Sequence, residues 1–105
     1  MEISPEIRRI ADTIRQAVPV EKIYLFGSHA YGTPHKDSDY DFFLVVPDGG
    51  MRPIEAMQEA QLAVAKSMRW RTTPIDILAT TRSSFDEMKN LITLERVVDR
   101  KGIAL

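Results

Sequence analysis

Cysteine is absent from all 105 residues, which excludes disulfides, thiolate nucleophiles and zinc-thiolate centres and suits a reducing compartment. Excess basic charge is missing as well. Lys and Arg number 14 against 15 Asp and Glu, a net charge of -1, whereas an extended nucleic-acid surface needs a strongly basic face. A small anionic ligand is compatible with that balance. The longest apolar run, residues 42–46, falls far short of the roughly 20 residues that span a bilayer. The first nine residues mix acids and arginines with no apolar stretch behind them, unlike a secretory signal. No repeat, linker or low-complexity tract interrupts the chain, and its two histidines lack metal-ligand spacing. What is present, 44% hydrophobic and 28% charged residues, is the make-up of a folding globular domain. The expectation is one cytoplasmic domain over residues 1–105, with room for one core and one site.

Ser4-Pro5-Glu6 reads as an N-cap with proline in the first turn, and Ile7, Ile10, Ala11, Ile14 and Val18 then recur at helical spacing up to about Pro19. Lys22–Phe26 reads as a strand that delivers the turn Gly27-Ser28, with a helical turn over 29–31. Tyr40–Val46 is a second, mostly apolar strand, closed by Pro47-Asp48-Gly49-Gly50. Pro53 opens a helix with Ile54, Met57, Gln61, Val64, Ala65 and Met68 on one side, interrupted only by the polar Gln61. Residues 75–79 form a third apolar strand. Ser84-Phe85-Asp86-Glu87 has capping-box spacing and predicts one last helix through Met88, Leu91, Ile92 and Val98, ended by Gly102. Residues 103–105 are left as a tail or edge strand. This order predicts a small mixed β-sheet covered by helices, α+β with an α/β-like character. The loop 33–38 and the Gly49-Gly50 turn are expected to be its mobile parts.

Asp39 and Asp41 stand two apart at the mouth of the second strand, so their side chains share a face, with backbones roughly 6 to 7 Å apart. Facing carboxylates repel unless one is protonated or a hard cation sits between them. Magnesium is the natural cation, with manganese as the alternative. Taken alone, Asp-x-Asp is equally a solvated strand end. Asp76 shifts the balance, because it interrupts the apolar run 75–78, where an unsatisfied polar group costs about 1 to 3 kcal/mol on burial. A third carboxylate facing the same ion removes that cost, as would a solvent-facing position or a pairing with Arg71 or Arg82. Gly27 permits close backbone approach to a phosphate, and Ser28 and the amides after it offer donors at a helix start. Alone that pair is an ordinary turn; its weight comes from the acids downstream.

Charge is unevenly spread. Asp37, Asp39, Asp41 and Asp48 stand against Lys36 in residues 36–48, whereas Lys66, Arg69, Arg71 and Arg82 surround Asp76. Arg71 or Lys66 is placed to steer phosphate, although a solvated helix end accounts for each. Trp70 is expected against the sheet, Tyr31 and Tyr40 beside the site, and His29 and His35 on the surface.

The string Gly27-Ser28-His29-Ala30-Tyr31-Gly32 through Ser38-Asp39-Tyr40-Asp41, with a third acid at Asp76, resembles the signature of the DNA polymerase β-type nucleotidyltransferase superfamily. It is most similar to the minimal nucleotidyltransferase branch, and the resemblance runs over nearly the whole chain. It implies the nucleotidyltransferase fold and two-metal chemistry: Asp39 and Asp41 would hold two Mg2+ ions, and Asp76 would complete the one that activates an acceptor hydroxyl. Gly27 and Ser28 would hold the phosphates of a nucleoside triphosphate, ATP as substrate. Members of this branch commonly pair with a HEPN-type toxin and act as antitoxins that nucleotidylate it, which implies AMP transfer to a protein partner. Two other readings stay open. One is a non-catalytic antitoxin module that blocks its partner by contact; the other is a homodimeric, aminoglycoside-like small-molecule nucleotidyltransferase.

Overall fold

The computed structural model describes residues 3–31, 39–68 and 74–105. Its elements follow in the order α1 (Pro5–Ala17), β1 (Lys22–Phe26), α2 (Ser28–Tyr31), β2 (Tyr40–Val46), α3 (Pro53–Ser67), β3 (Ile75–Thr81), α4 (Arg82–Met88), α5 (Leu94–Lys101) and β4 (Ile103–Ala104). The four strands form one mixed sheet in the order β3-β2-β1-β4. The β1 strand pairs antiparallel with β2 and β4, while β2 and β3 run parallel, because α3 carries the chain back across the sheet between them. The result is the α+β architecture expected from the element order, and the C-terminal residues do form an edge strand.

The α1 helix begins where the Ser4 hydroxyl accepts from the Ile7 amide at 3.2 Å and buries Ile7, Ile10, Ala11 and Ile14. Together with α3 it covers one face of the sheet, over Ile23, Leu25, Phe42, Leu44 and Ile77. On the opposite face, Phe85 of α4 and Val98 of α5 cover Tyr24, Phe43 and Val45. The β2 strand is therefore buried on both sides, which its apolar run anticipates. Its exception is Asp41.

Three helical expectations need correction. The inner stripe of α3 is Ala56, Ala60 and Val64, whereas Ile54 is 52% exposed and Ala65 lies at the surface. Val64 and Met68 are buried as expected, and Ala56 and Ala60 continue their inward line at i, i+4 spacing. Gln61 sits inside the stripe's margin because its Nε2 donates to the Ile75 carbonyl at 3.2 Å. Second, Ser84 is not the cap of the last helix: Thr81 caps α4, its hydroxyl accepting from the Ser84 amide at 3.2 Å. Third, that helix is two helices. The Thr93 hydroxyl donates to the Met88 carbonyl at 2.7 Å and accepts from the Arg96 amide at 3.3 Å, ending α4 and starting α5. Leu91 and Ile92 consequently lie exposed in the break.

Asp48, in the turn after β2, accepts from both the amide and the hydroxyl of Ser83, and so caps the first turn of α4 from a distance. Those hydrogen bonds hold its carboxyl below the ordinary value. A carboxylate lowered on folding contributes stability above its unfolded pKa and loses it as pH falls through the folded one. Asp48→Ala should accordingly lower the melting temperature by a few degrees at neutral pH, with the difference from wild type closing under acid. A difference that persists unchanged below the carboxylate range would rule this cap out.

Candidate active site

Asp41 and Asp76 are direct neighbours across the parallel ladder, which puts them on the same face of the sheet on strands about 4.8 Å apart. Asp39 precedes Asp41 by two residues, and the ladder continues beside it, the Tyr40 amide donating to the Pro74 carbonyl at 3.0 Å. All three carboxylates thus share one face at the start of β2 and β3. It is the face that α4 and α5 cover only beyond this point, over Phe43 and Val45, so the aspartates occupy the stretch left open. Asp39 and Asp76 are exposed and Asp41 is half-buried.

Burial raises the Asp41 carboxyl above its ordinary value, and the charges of Asp76 and then Asp39 raise it further, with His29 opposing. This is a carboxylate held among like charges, a set of hard oxygen donors suited to a divalent cation. Among the described residues no three such groups are gathered closely enough to hold an ion as they stand. The donors therefore fit a metal by shared face and chemistry, with side-chain rotation required to complete a coordination shell.

Gly27 ends β1 at a φ of 76°, and β1 is placed so that Phe26 lies opposite Asp41. A Cβ at Gly27 would overlap an oxygen of the Asp41 carboxylate. The close approach that glycine allows here is that of the Asp41 carboxylate, where the sequence suggests that of a phosphate. The chain then turns into α2, the Ala30 amide donating to the Gly27 carbonyl at 3.0 Å. The Ser28 backbone opens that helical turn, while its side chain lies outside what the structure describes. Gly27→Ala should cost about 1 to 3 kcal/mol from the left-handed backbone alone and displace Asp41 as well. The measurement is thermal unfolding with and without Mg-ATP, and an alanine variant with wild-type stability would contradict the packing.

His29 was expected at the surface but is half-buried, its ring 4.6 Å from that of Tyr40 in an edge-on contact. Its position next to the Gly27-Ser28 turn was the signal that placed it by the site. Tyr40 does lie beside the site, buried on the other face, where its hydroxyl donates to Glu6 at 3.0 Å. Asp76 interrupts an apolar run without a burial penalty, because β3 is an edge strand with an open face; the burial cost inferred from the sequence does not arise. Arg82 does not pair with it, being engaged by Asp86 at 2.9 Å and Glu21 at 3.6 Å. The loop 33–38, with His35, Lys36 and Asp37, lies outside the described residues, as do Arg69, Trp70 and Arg71.

Comparison with known proteins gives the class to which this mixed sheet, with three carboxylates on an open face beside a glycine turn, belongs. The sequence profile of the nucleotidyltransferase domain matches residues 7–101, so the chain belongs to that family. No curated protein is a significant match to the chain. Among solved structures, a candidate nucleotidyltransferase from Sulfolobus solfataricus shares the fold at TM-score 0.58 and 17% identity, covering 92% of this chain and 73% of the other. A toxin-antitoxin structure with AMP-PNP matches at TM-score 0.60 and 22% identity, covering 92% and 69%. A mutant MntA-HpeT toxin-antitoxin structure bearing two aspartate-to-glutamate changes matches at 0.61 and 21%, with the same coverage. At these identities the likeness is one of fold.

Proposed function

We propose that this nucleotidyltransferase domain transfers a nucleoside monophosphate, AMP from ATP, to a hydroxyl on a protein partner, with a HEPN-type toxin as the preferred acceptor. The hydroxyl oxygen bonds the α-phosphorus as the bond to the β-phosphate breaks and pyrophosphate leaves. The observation that carries the reading is the side-by-side register of Asp41 and Asp76 on an open sheet face, against the Gly27 turn. Asp39 and Asp41 would hold two Mg2+ ions and Asp76 would share the one nearer the acceptor. When bound, such ions lower the pKa of the attacking hydroxyl and offset charge on the triphosphate. The chain's own contribution is position and field. The strand pairing sets Asp41 between the Gly27 turn and Asp76. The Gly27-Ser28 turn presents backbone amides to the phosphates. Asp76 lies on the outermost strand, at the edge where a groove of about 490 Å³ is also lined by Ile54, Met57, Gln61 and Leu78; on this reading the acceptor enters along that edge and Asp76 takes its proton.

The toxin-antitoxin neighbours favour a protein acceptor. Incubating the purified chain with Mg2+, α-labelled ATP and a HEPN-type partner should add label and the mass of an adenylate to the partner. Neutralisation of the partner with its mass unchanged would instead support a contact-blocking module. Label on an aminoglycoside or other small acceptor would support the small-molecule reading.

A further inference from the structure

Of the eight large apolar side chains exposed among the described residues, five fall within ten positions: Met88, Leu91, Ile92, Leu94 and Val97. Ile92 is 96% exposed. The cause is local, since Thr93 breaks the helix there and α5 buries only Val98, which leaves Leu94 and Val97 facing outward. Beside them lies a concavity of about 310 Å³ lined by Ile92, Thr93, Arg96, Val97, Arg100 and Lys101. Arg82 and Lys89 of α4 are paired with acids, but none of Arg96, Arg100 and Lys101 is in an ion pair with another described residue. The acids of α5, Glu95 and Asp99, do not line the concavity.

Exposed apolar side chains rimmed by charge mark an interaction surface, and the charged side chains that line this concavity, Arg96, Arg100 and Lys101, are all cationic. From this juxtaposition we infer that the α4–α5 break and the outer face of α5 form a docking surface for an acidic amphipathic helix of a partner protein. Leucine-type side chains of that helix fill the space around Ile92 and Val97, and its Glu or Asp flank meets Arg96, Arg100 and Lys101. Eight residues of α5 extend about 12 Å, the length of two helical turns. A second copy using the same patch would set these cations against themselves. The apolar members are aliphatic or methionine and offer no ring on which a base stacks. The inference does not rest on the transfer chemistry, since none of the three aspartates lines the surface.

The test uses the full chain and a synthetic helical peptide of about 14 residues with Leu at i, i+3, i+4 and i+7 and Glu on the flanks. Two control peptides replace Glu by Lys or Leu by Ser. Amide NMR shifts should localise to residues 91–101, and the Glu/Leu peptide should bind about tenfold or more tighter than either control, a difference of about 1.4 kcal/mol. Ile92→Ser and Arg100→Glu should each weaken it about tenfold, with the Mg-ATP thermal shift unchanged as a measure of folding. Equal affinity for the controls, or shifts mapped elsewhere, would overturn the assignment. So would binding of anionic phospholipid vesicles or short RNA at this face with the peptide failing, or a dimer in sedimentation that Ile92→Ser splits.

Discussion

Asp41→Asn should abolish nucleotidyl transfer, by roughly three orders of magnitude or more, and at the same time raise the melting temperature of the metal-free protein by a few degrees. The two effects share one cause. Asp41 is pushed up by burial and by the charges of Asp76 and Asp39, so ionising it costs more in the folded protein than in the unfolded chain. A carboxyl raised on folding contributes stability at acid pH, and that contribution is lost as pH rises through the folded pKa. Wild type and variant should therefore coincide in melting temperature under acid and separate as pH climbs, the variant being the more stable. Addition of Mg-ATP should stabilise only the wild type, because a ligand of the folded state raises its stability. Thermal unfolding in EDTA across pH, repeated with Mg-ATP, reads all of this. A variant less stable than wild type in EDTA at neutral pH would refute the assignment of Asp41 as a strained ligand position, and retained transfer would refute its role in the chemistry.

Asp76→Asn should separate turnover from binding. The side chain lies on the outer strand, beside Asp41 and along the groove that contains Ile54 and Leu78, the edge along which the acceptor is proposed to enter. Loss of a group that positions or deprotonates the acceptor costs about 10² to 10⁴ in rate, whereas nucleotide held by Asp39, Asp41 and the Gly27 turn should bind within a few fold of wild type. Single-turnover transfer and the Mg-ATP thermal shift, measured on one preparation, give the two quantities. Proportional loss of both would make Asp76 a nucleotide-side residue and remove the reason for placing the acceptor at the β3 edge. Since Asp76 is exposed, its replacement is expected to leave the fold intact.

The grouping of the candidate residues was legible in sequence because they sit at strand ends. Two carboxylates at i and i+2 share a face in any strand, and a glycine after a short β run implies a turn, so Asp39, Asp41 and Gly27 could be grouped by local rules. On α3 the inward positions Val64 and Met68 were legible, but Ala56 and Ala60 are inside and Ile54 is outside, because place on the helical face and not side-chain size decides burial. The split between α4 and α5 was hidden because Leu91 and Ile92 continue an apolar rhythm that has no core to enter.

What the chain determined by itself was local: the strand boundaries Lys22–Phe26 and Tyr40–Val46, the Ser4 cap, and the set of acids available, each fixed by steric and hydrogen-bonding preferences spanning a few residues. Only the tertiary structure decided that β3 is an edge strand parallel to β2, which puts Asp76 beside Asp41 across 35 positions of sequence. Strand order and pairing register are set by burial of the whole sheet between two helical layers, a cooperative property that no short window of residues contains.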